Sequence, residues 1–201
     1  MSPTPVPNDI ATVTELVNDW IATPNQAQFT DPNSCPYYGK IDEWDMSNVR
    51  SLEGIFRNRT EFNTDISRWD TSNVTNMCSV FQGASAFNQP VGTWETKNVT
   101  TMSKMFHDAS SFNKPVGAWN VSNVTDMSGM FYNASNYNQR MTFWRTDNVV
   151  TMEEMFRGAL KFNQNLNNWK TENVRTMTRM FKDAKSFNRN IHGWKTDAIK
   201  V

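Results

Sequence analysis

The chain has 201 residues, 20 basic and 20 acidic side chains, and 38% apolar residues, an ordinary size and polarity for one folded domain or one continuous array. Zero net charge disfavours nucleic-acid binding, and the two cysteines, Cys35 and Cys78, are too few for a disulfide framework and stand at no metal-ligand spacing. No apolar run reaches the roughly 18–20 residues that cross a bilayer.

From the N-terminus, residues 1–7 (MSPTPVP) read as a flexible lead without the basic-then-apolar layout of a secretory signal. That implies an intracellular protein or one whose leader has been removed. Residues 8–43 read as an N-terminal helical cap and its connection. Ile10, Val13, Leu16, Val17, Trp20 and Ile21 share one helical face, Pro24 ends the helix, and 25–40 is irregular.

From Trp44 onward the chain repeats. Trp44, Trp69, Trp94, Trp119, Trp144, Trp169 and Trp194 recur every 25 residues, giving six full units over 44–193 and a truncated seventh over 194–201. Counting from each Trp as zero, the fifth position is Val or Ile, the eighth Leu or Met, and the twelfth Phe. The fifteenth is Ala except for Arg59, the eighteenth Phe or Tyr137, the nineteenth Asn, and the twenty-second aliphatic or Met. In the third unit the apolar residues Val99, Met102, Met105, Phe106 and Ala109 fall at intervals of three and four, which predicts an amphipathic helix of about three turns. Asn98 would be its N-cap, and the Gly, Asn or Asp at the fourteenth position its left-handed C-cap. Residues 91–97 read as a short strand with Trp94 and Thr96 inward. The predicted architecture is therefore an α/β solenoid, leucine-rich-repeat-like, with one short parallel strand and one short helix per unit; the alternative is a β-solenoid with short helical turns. A lone unit has too little apolar surface to fold, so stacking must complete the core, with the Asn of the nineteenth position forming an internal ladder.

The pattern seen most fully in WDTSNVTNMCSVFQGASAFN, from Trp69, resembles the mycoplasma-type surface-protein repeat of unknown function. That family is grouped with the leucine-rich-repeat-like modules of BspA-type surface antigens. YYGKIDEWDMSNV (37–49) is similar to the family's entry into its first repeat. The resemblance implies an α/β solenoid, a cell-surface or extracellular location, and a role in adhesion or protein contact; it brings no catalytic residues.

Function is sought on positions that differ between units. The residue after each Trp runs Asp45, Asp70, Glu95, Asn120, Arg145, Lys170, Lys195, so acid gives way to base. Residues 1–100 carry a net −6 and residues 101–201 a net +6. Solvated surface is the plain explanation of such a column, and a bipolar binding face or head-to-tail contact the functional one. Phe143, the one aromatic in the column before Trp, is the best anchor candidate. Partner-binding candidates are thus Asp70, Glu95, Phe143, Arg145, Lys170 and Lys195.

Enzyme chemistry finds no support. His107 and His192 stand in different columns, and no nucleophile, phosphate-loop, metal or cofactor motif is present. Sequons occur at Asn58, Asn73, Asn98, Asn123 and Asn133, and those at Asn73, Asn98 and Asn123, the proposed helix caps, read as by-products of the repeated NVT. The Thr71, Thr96, Thr146, Thr171, Thr196 column is interrupted by Val121 and points inward, against an ice-binding face. Cys35 and Cys78 are a conceivable pair. The function predicted is a non-enzymatic binding or adhesion module presenting its repeat-built sheet face to a protein or glycan. The alternative is a structural spacer or assembly subunit meeting neighbours through its ends, since the chain stops without a second cap; a cut from a longer protein would also leave it so.

Overall fold

The computed structural model describes residues 5–23 and 38–199. Among the described residues the one α-helix, α1 (Ile10–Ala22), begins at Asp9, whose carboxylate accepts the Thr12 N–H at 2.8 Å. Val13, Val17 and Trp20 are buried in the common core, whereas Ile21, expected on the same face, is 36% exposed. Pro24 and the connection to residue 37 lie outside the described residues. The lead is not free where it is described: Val6 is fully buried and its N–H donates to the Asp45 carbonyl. Arg59, the exception in the alanine column, reaches Asn18 of α1 with its guanidinium.

The 25-residue units stack as coils in register, but not as predicted. Neither a helix nor a strand per unit forms: beyond α1 the described residues contain only the 3-10 turns Ile41–Glu43 and Val91–Thr93 and isolated parallel bridges. The expected α/β solenoid is corrected on both counts, and its β-solenoid alternative also lacks its strands. The bridges link Ser51, Asn76, Thr101, Asp126, Thr151 and Thr176 in sequence, seven residues after each Trp rather than around it. Val91, placed in the strand, opens a turn that closes with the Trp94 N–H on its carbonyl.

The segment taken for a helix shows why. Met105 N–H bonds to Met102 O and Ala109 N–H to Phe106 O, each closing a four-residue turn. The third residues, Lys104 and Asp108, have φ of 55° and 59°, the left-handed value such turns demand and an α-helix forbids. Both left-handed positions recur in all six units, as Gly54, Ser79, Gly129, Glu154 and Arg179, and as Asn58, Gly83, Asn133, Gly158 and Asp183. The alternate N–H groups leave the coil altogether. Those of Met102, Lys104, Phe106 and Asp108 donate to Asp126, Ser128, Met130 and Tyr132 of the next coil at 2.8–3.0 Å. Backbone hydrogen bonding is thereby satisfied between coils as well as within them.

Side chains repeat this linkage. Each Asn of the nineteenth position accepts through Oδ1 the N–H of its counterpart one coil later, from Asn63 through Asn163, at 2.9–3.0 Å. This is the expected ladder, though its members are half-buried or exposed rather than buried. The Asn of the fourth position caps nothing. In Asn73, Asn98, Asn123, Asn148 and Asn173 the amide Nδ2 donates to a carbonyl of the preceding coil at 2.7–2.8 Å. Every Trp from Trp69 to Trp194 donates its indole N–H to the carbonyl 28 residues earlier, at 2.6–3.2 Å. Thr71, Thr96, Thr146 and Thr171 are at most 2% exposed and donate to the next coil, which removes them from any ice-facing surface.

Aromatic columns fill the interior. Phe56, Phe81, Phe106, Phe131, Phe156 and Phe181 stack at 5.5–5.7 Å. Each also lies 3.8–4.1 Å from the ring six residues on in its own coil. Tyr137 takes one of those second rings, and its hydroxyl is buried without a partner, so burial pushes its ionisation well above the ordinary phenol range. Tyr137→Phe, which restores the residue of the other units, should therefore stabilise the chain by about 1 kcal/mol, read as a raised midpoint in chemical denaturation.

Candidate functional site

The surface that varies is the edge on either side of the tryptophans. Trp ends one turn, closed by the Trp N–H on the carbonyl three residues earlier, and a second turn begins two residues later. The residue between them, at position one, is thrust outward while Trp and the Thr beyond it go inward. Asp70, Glu95, Asn120, Arg145, Lys170 and Lys195 are all exposed and stand in one column, with Asp45 half-exposed. Phe143 occupies the tip of the turn before Trp144 and is 86% exposed. The candidates share one edge made of turns, not the expected sheet face, because no sheet forms among the described residues.

A groove of about 430 Å³ opens in the middle of this edge. Gly117, Ala118, Trp119 and Val121 form its floor, and Asn120, Ser122, Phe143 and Arg145 its rim. Its depth comes from small residues: where the following coil carries Thr142 and Phe143, this one has Gly117 and Ala118. Gly117 is also fixed by packing, because a Cβ there would sit 2.4 Å from the Arg140 carbonyl oxygen. Phe143, Arg145 and Asn120 thus present a bare aromatic ring, a guanidinium and an amide around one depression. Glu95 lies one coil before it, Lys170 one coil after, and Asp70 and Lys195 farther along the column.

The electrostatics differ from the simple acid-to-base gradient. Position three carries the opposite sign wherever position one is charged in the middle and later coils. Within a coil Lys97 lies 3.6 Å from Glu95 and Asp147 3.5 Å from Arg145, while Glu172 lies 3.6 Å from Lys195 of the next coil. Such exposed pairs contribute only about 0–1 kcal/mol each, yet they cancel most local charge. In the first coils position three is Ser. The Ser72 hydroxyl and N–H hold the Asp70 carboxyl below the ordinary range, with Lys97 adding to it. Asp65 is lowered likewise by the N–H and hydroxyl of Ser67, and Asp9 by those of Thr12. Groups depressed on folding contribute stability that is complete above their unfolded pKa, about 3.9, and lost as pH falls through the folded value. The denaturation midpoint should be flat from neutral pH to about 5 and decline below about 4, and replacing Asp65 and Asp70 by Asn should flatten that decline.

Two further features escaped the sequence reading. A groove of about 420 Å³ runs between Trp20 and Ile21 of α1 and the 58–64 segment of the first coil. On the opposite side of the stack His107, far from an isolated surface residue, lies flat on Tyr132 at 4.3 Å, with Nδ1 2.8 Å from Asp108 Oδ2. Arg157 covers the other face of Tyr132 at 5.2 Å and pairs with Glu154. His107, Tyr132 and Arg157 are consecutive members of the thirteenth column, so their flat shapes were the available signal. His192 is exposed, Cys78 is a half-buried free thiol, and Cys35 lies outside the described residues.

Among the described residues no three His, Cys, Asp or Glu side chains converge as metal ligands, and no helix is long and apolar enough to cross a membrane. No curated protein and no solved structure matches the chain. One family model does, over residues 26–141 and again over 112–201, and it is described as Mycoplasma protein of unknown function, DUF285. With matches that together run from residue 26 to the end, the chain belongs to this repeat-type family.

Proposed function

We propose that the protein is a non-enzymatic binding or adhesion module that offers the tryptophan-flanking edge of its coils to a protein or glycan partner. The observation that carries this reading is the convergence of Phe143, Arg145 and Asn120 around one groove. They occupy columns whose side chains change from coil to coil while the interior is held constant. An exposed ring next to a guanidinium and an amide is the composition of an interface anchor. A lone Phe in water at 86% exposure gains from being covered. The resemblance to BspA-type surface modules agrees with a role outside the cell, in adhesion.

The test is a printed array of glycans and peptides probed with labelled protein. Phe143→Ala and Arg145→Glu should each lower binding to the same array members by about tenfold or more, with unchanged thermal midpoints. Lys161→Glu, on the far side of the stack, should leave binding intact. Binding that ignores Phe143 and Arg145, or no binding by a chain that is also monomeric, would contradict the assignment.

A further inference from the structure

The column beside the tryptophans has a property that a mere gradient lacks. Asp45, Asp70 and Glu95 precede one neutral residue, Asn120, and Arg145, Lys170 and Lys195 follow it, so the signs are antisymmetric about the centre. We propose that a second copy of this chain docks on this edge, antiparallel, about a two-fold axis that passes across the column at Asn120. The proposal names the partner of the edge described above and so rests on reading that edge as a binding surface.

In that arrangement Asp45 faces Lys195 of the second copy, Asp70 faces Lys170, Glu95 faces Arg145, and Asn120 faces itself. Each contact occurs twice, as a two-fold interface requires. Next to the centre the neighbouring columns agree. At position three Lys97 comes opposite Asp147, so the Glu95–Lys97 pair of one copy meets the Arg145–Asp147 pair of the other as four charges of alternating sign. In the column before Trp, Phe143 comes opposite Thr93, and Ala118 opposite itself. A parallel pairing would instead set every charge against its own kind, which disfavours it.

To keep this register successive coils must lie parallel along the column, and away from its centre the tryptophan rings do. The Trp44–Trp69, Trp69–Trp94, Trp144–Trp169 and Trp169–Trp194 ring pairs are inclined by only 9°, 3°, 6° and 2°, at steps of 5.8–6.4 Å. The outer steps that face one another are 6.4 and 6.3 Å, and 6.2 and 5.8 Å, so they differ little.

The experiment is sedimentation equilibrium at low ionic strength with a charge-swap set that spares the groove. The wild type should dimerise, and more weakly as salt rises. Asp70→Lys and Lys170→Asp should each weaken the dimer by about tenfold or more, and the double variant Asp70→Lys/Lys170→Asp should regain most of the loss, with all thermal midpoints alike. In a background of Cys35→Ser and Cys78→Ser, a short thiol cross-linker should join copies through Asn120→Cys and not through Lys195→Cys. A wild type that stays monomeric, a double swap without recovery, or self-coupling through Lys195→Cys overturns the proposal. Array binding separates it from the reading beneath: a monomeric chain whose array binding still falls on Phe143→Ala ends self-pairing and leaves a binding edge for another partner.

Discussion

Phe106→Ala should lower stability by about 3–5 kcal/mol. Phe106 is fully buried, stacks on Phe81 and Phe131 at 5.5 Å and meets Phe112 at 3.8 Å. The cavity would open between coils that are themselves held by backbone hydrogen bonds from Phe81 N–H to Met105 O and from Phe106 N–H to Met130 O, so it has little freedom to collapse. Stability in such arrays is shared between neighbours. The denaturation midpoint should fall, and amides of the two adjacent coils should exchange faster than those of the first or last. Confinement of the loss to one coil would show that the coils do not share a core.

Asn113→Ala should cost about 1–3 kcal/mol, an unusual amount for a half-buried polar side chain. Its Oδ1 accepts the Asn138 N–H and the Gln139 amide, each at 3.0 Å, and alanine leaves both donors without it. Asn113→Asp keeps the acceptor oxygen and should retain most of that stability at neutral pH. If the two variants lose equally, the contribution of Asn113 is shape and not the ladder.

The interior was legible in the sequence because recurrence alone identifies it. When Phe returns every 25 residues at one position, those rings share a column whatever backbone carries them. The backbone was not legible in the same way. Residues Val99 to Ala109 place side chains inward at intervals of three and four, and two successive four-residue turns give the same intervals as a helix. The distinguishing signal was small. Gly54 and Gly129 at the tenth position, with Gly, Asn or Asp four residues later, mark two left-handed sites too close together for any helix interior. The first helix was readable because α1 lies outside the repeat and follows ordinary capping and periodicity. Ile21 alone departs from it, lining the groove beside Trp20.

Of the edge, Phe143, Arg145, Asp70, Glu95, Lys170 and Lys195 could be placed together from their columns. Their ion-pair partners could not, because Lys97, Asp147 and Glu172 belong to a column two residues away, which the turn after Trp brings alongside within a coil and the stacking brings alongside for Glu172 and Lys195. The groove depends on Gly117 and Ala118 being smaller than their counterparts in the next coil, a difference that acquires meaning only once the coils are known to be stacked in register.

The claim on which the rest depends is that this segment is built of left-handed turns whose N–H groups reach the next coil. The most direct test is NMR coupling through the hydrogen bond made by the Phe106 amide. Stacked coils predict a correlation from Phe106 nitrogen to the Met130 carbonyl carbon, across the 2.9 Å bond. A correlation to the Met102 carbonyl, four residues back in the same unit, would mean a helix and would contradict the coil architecture described above.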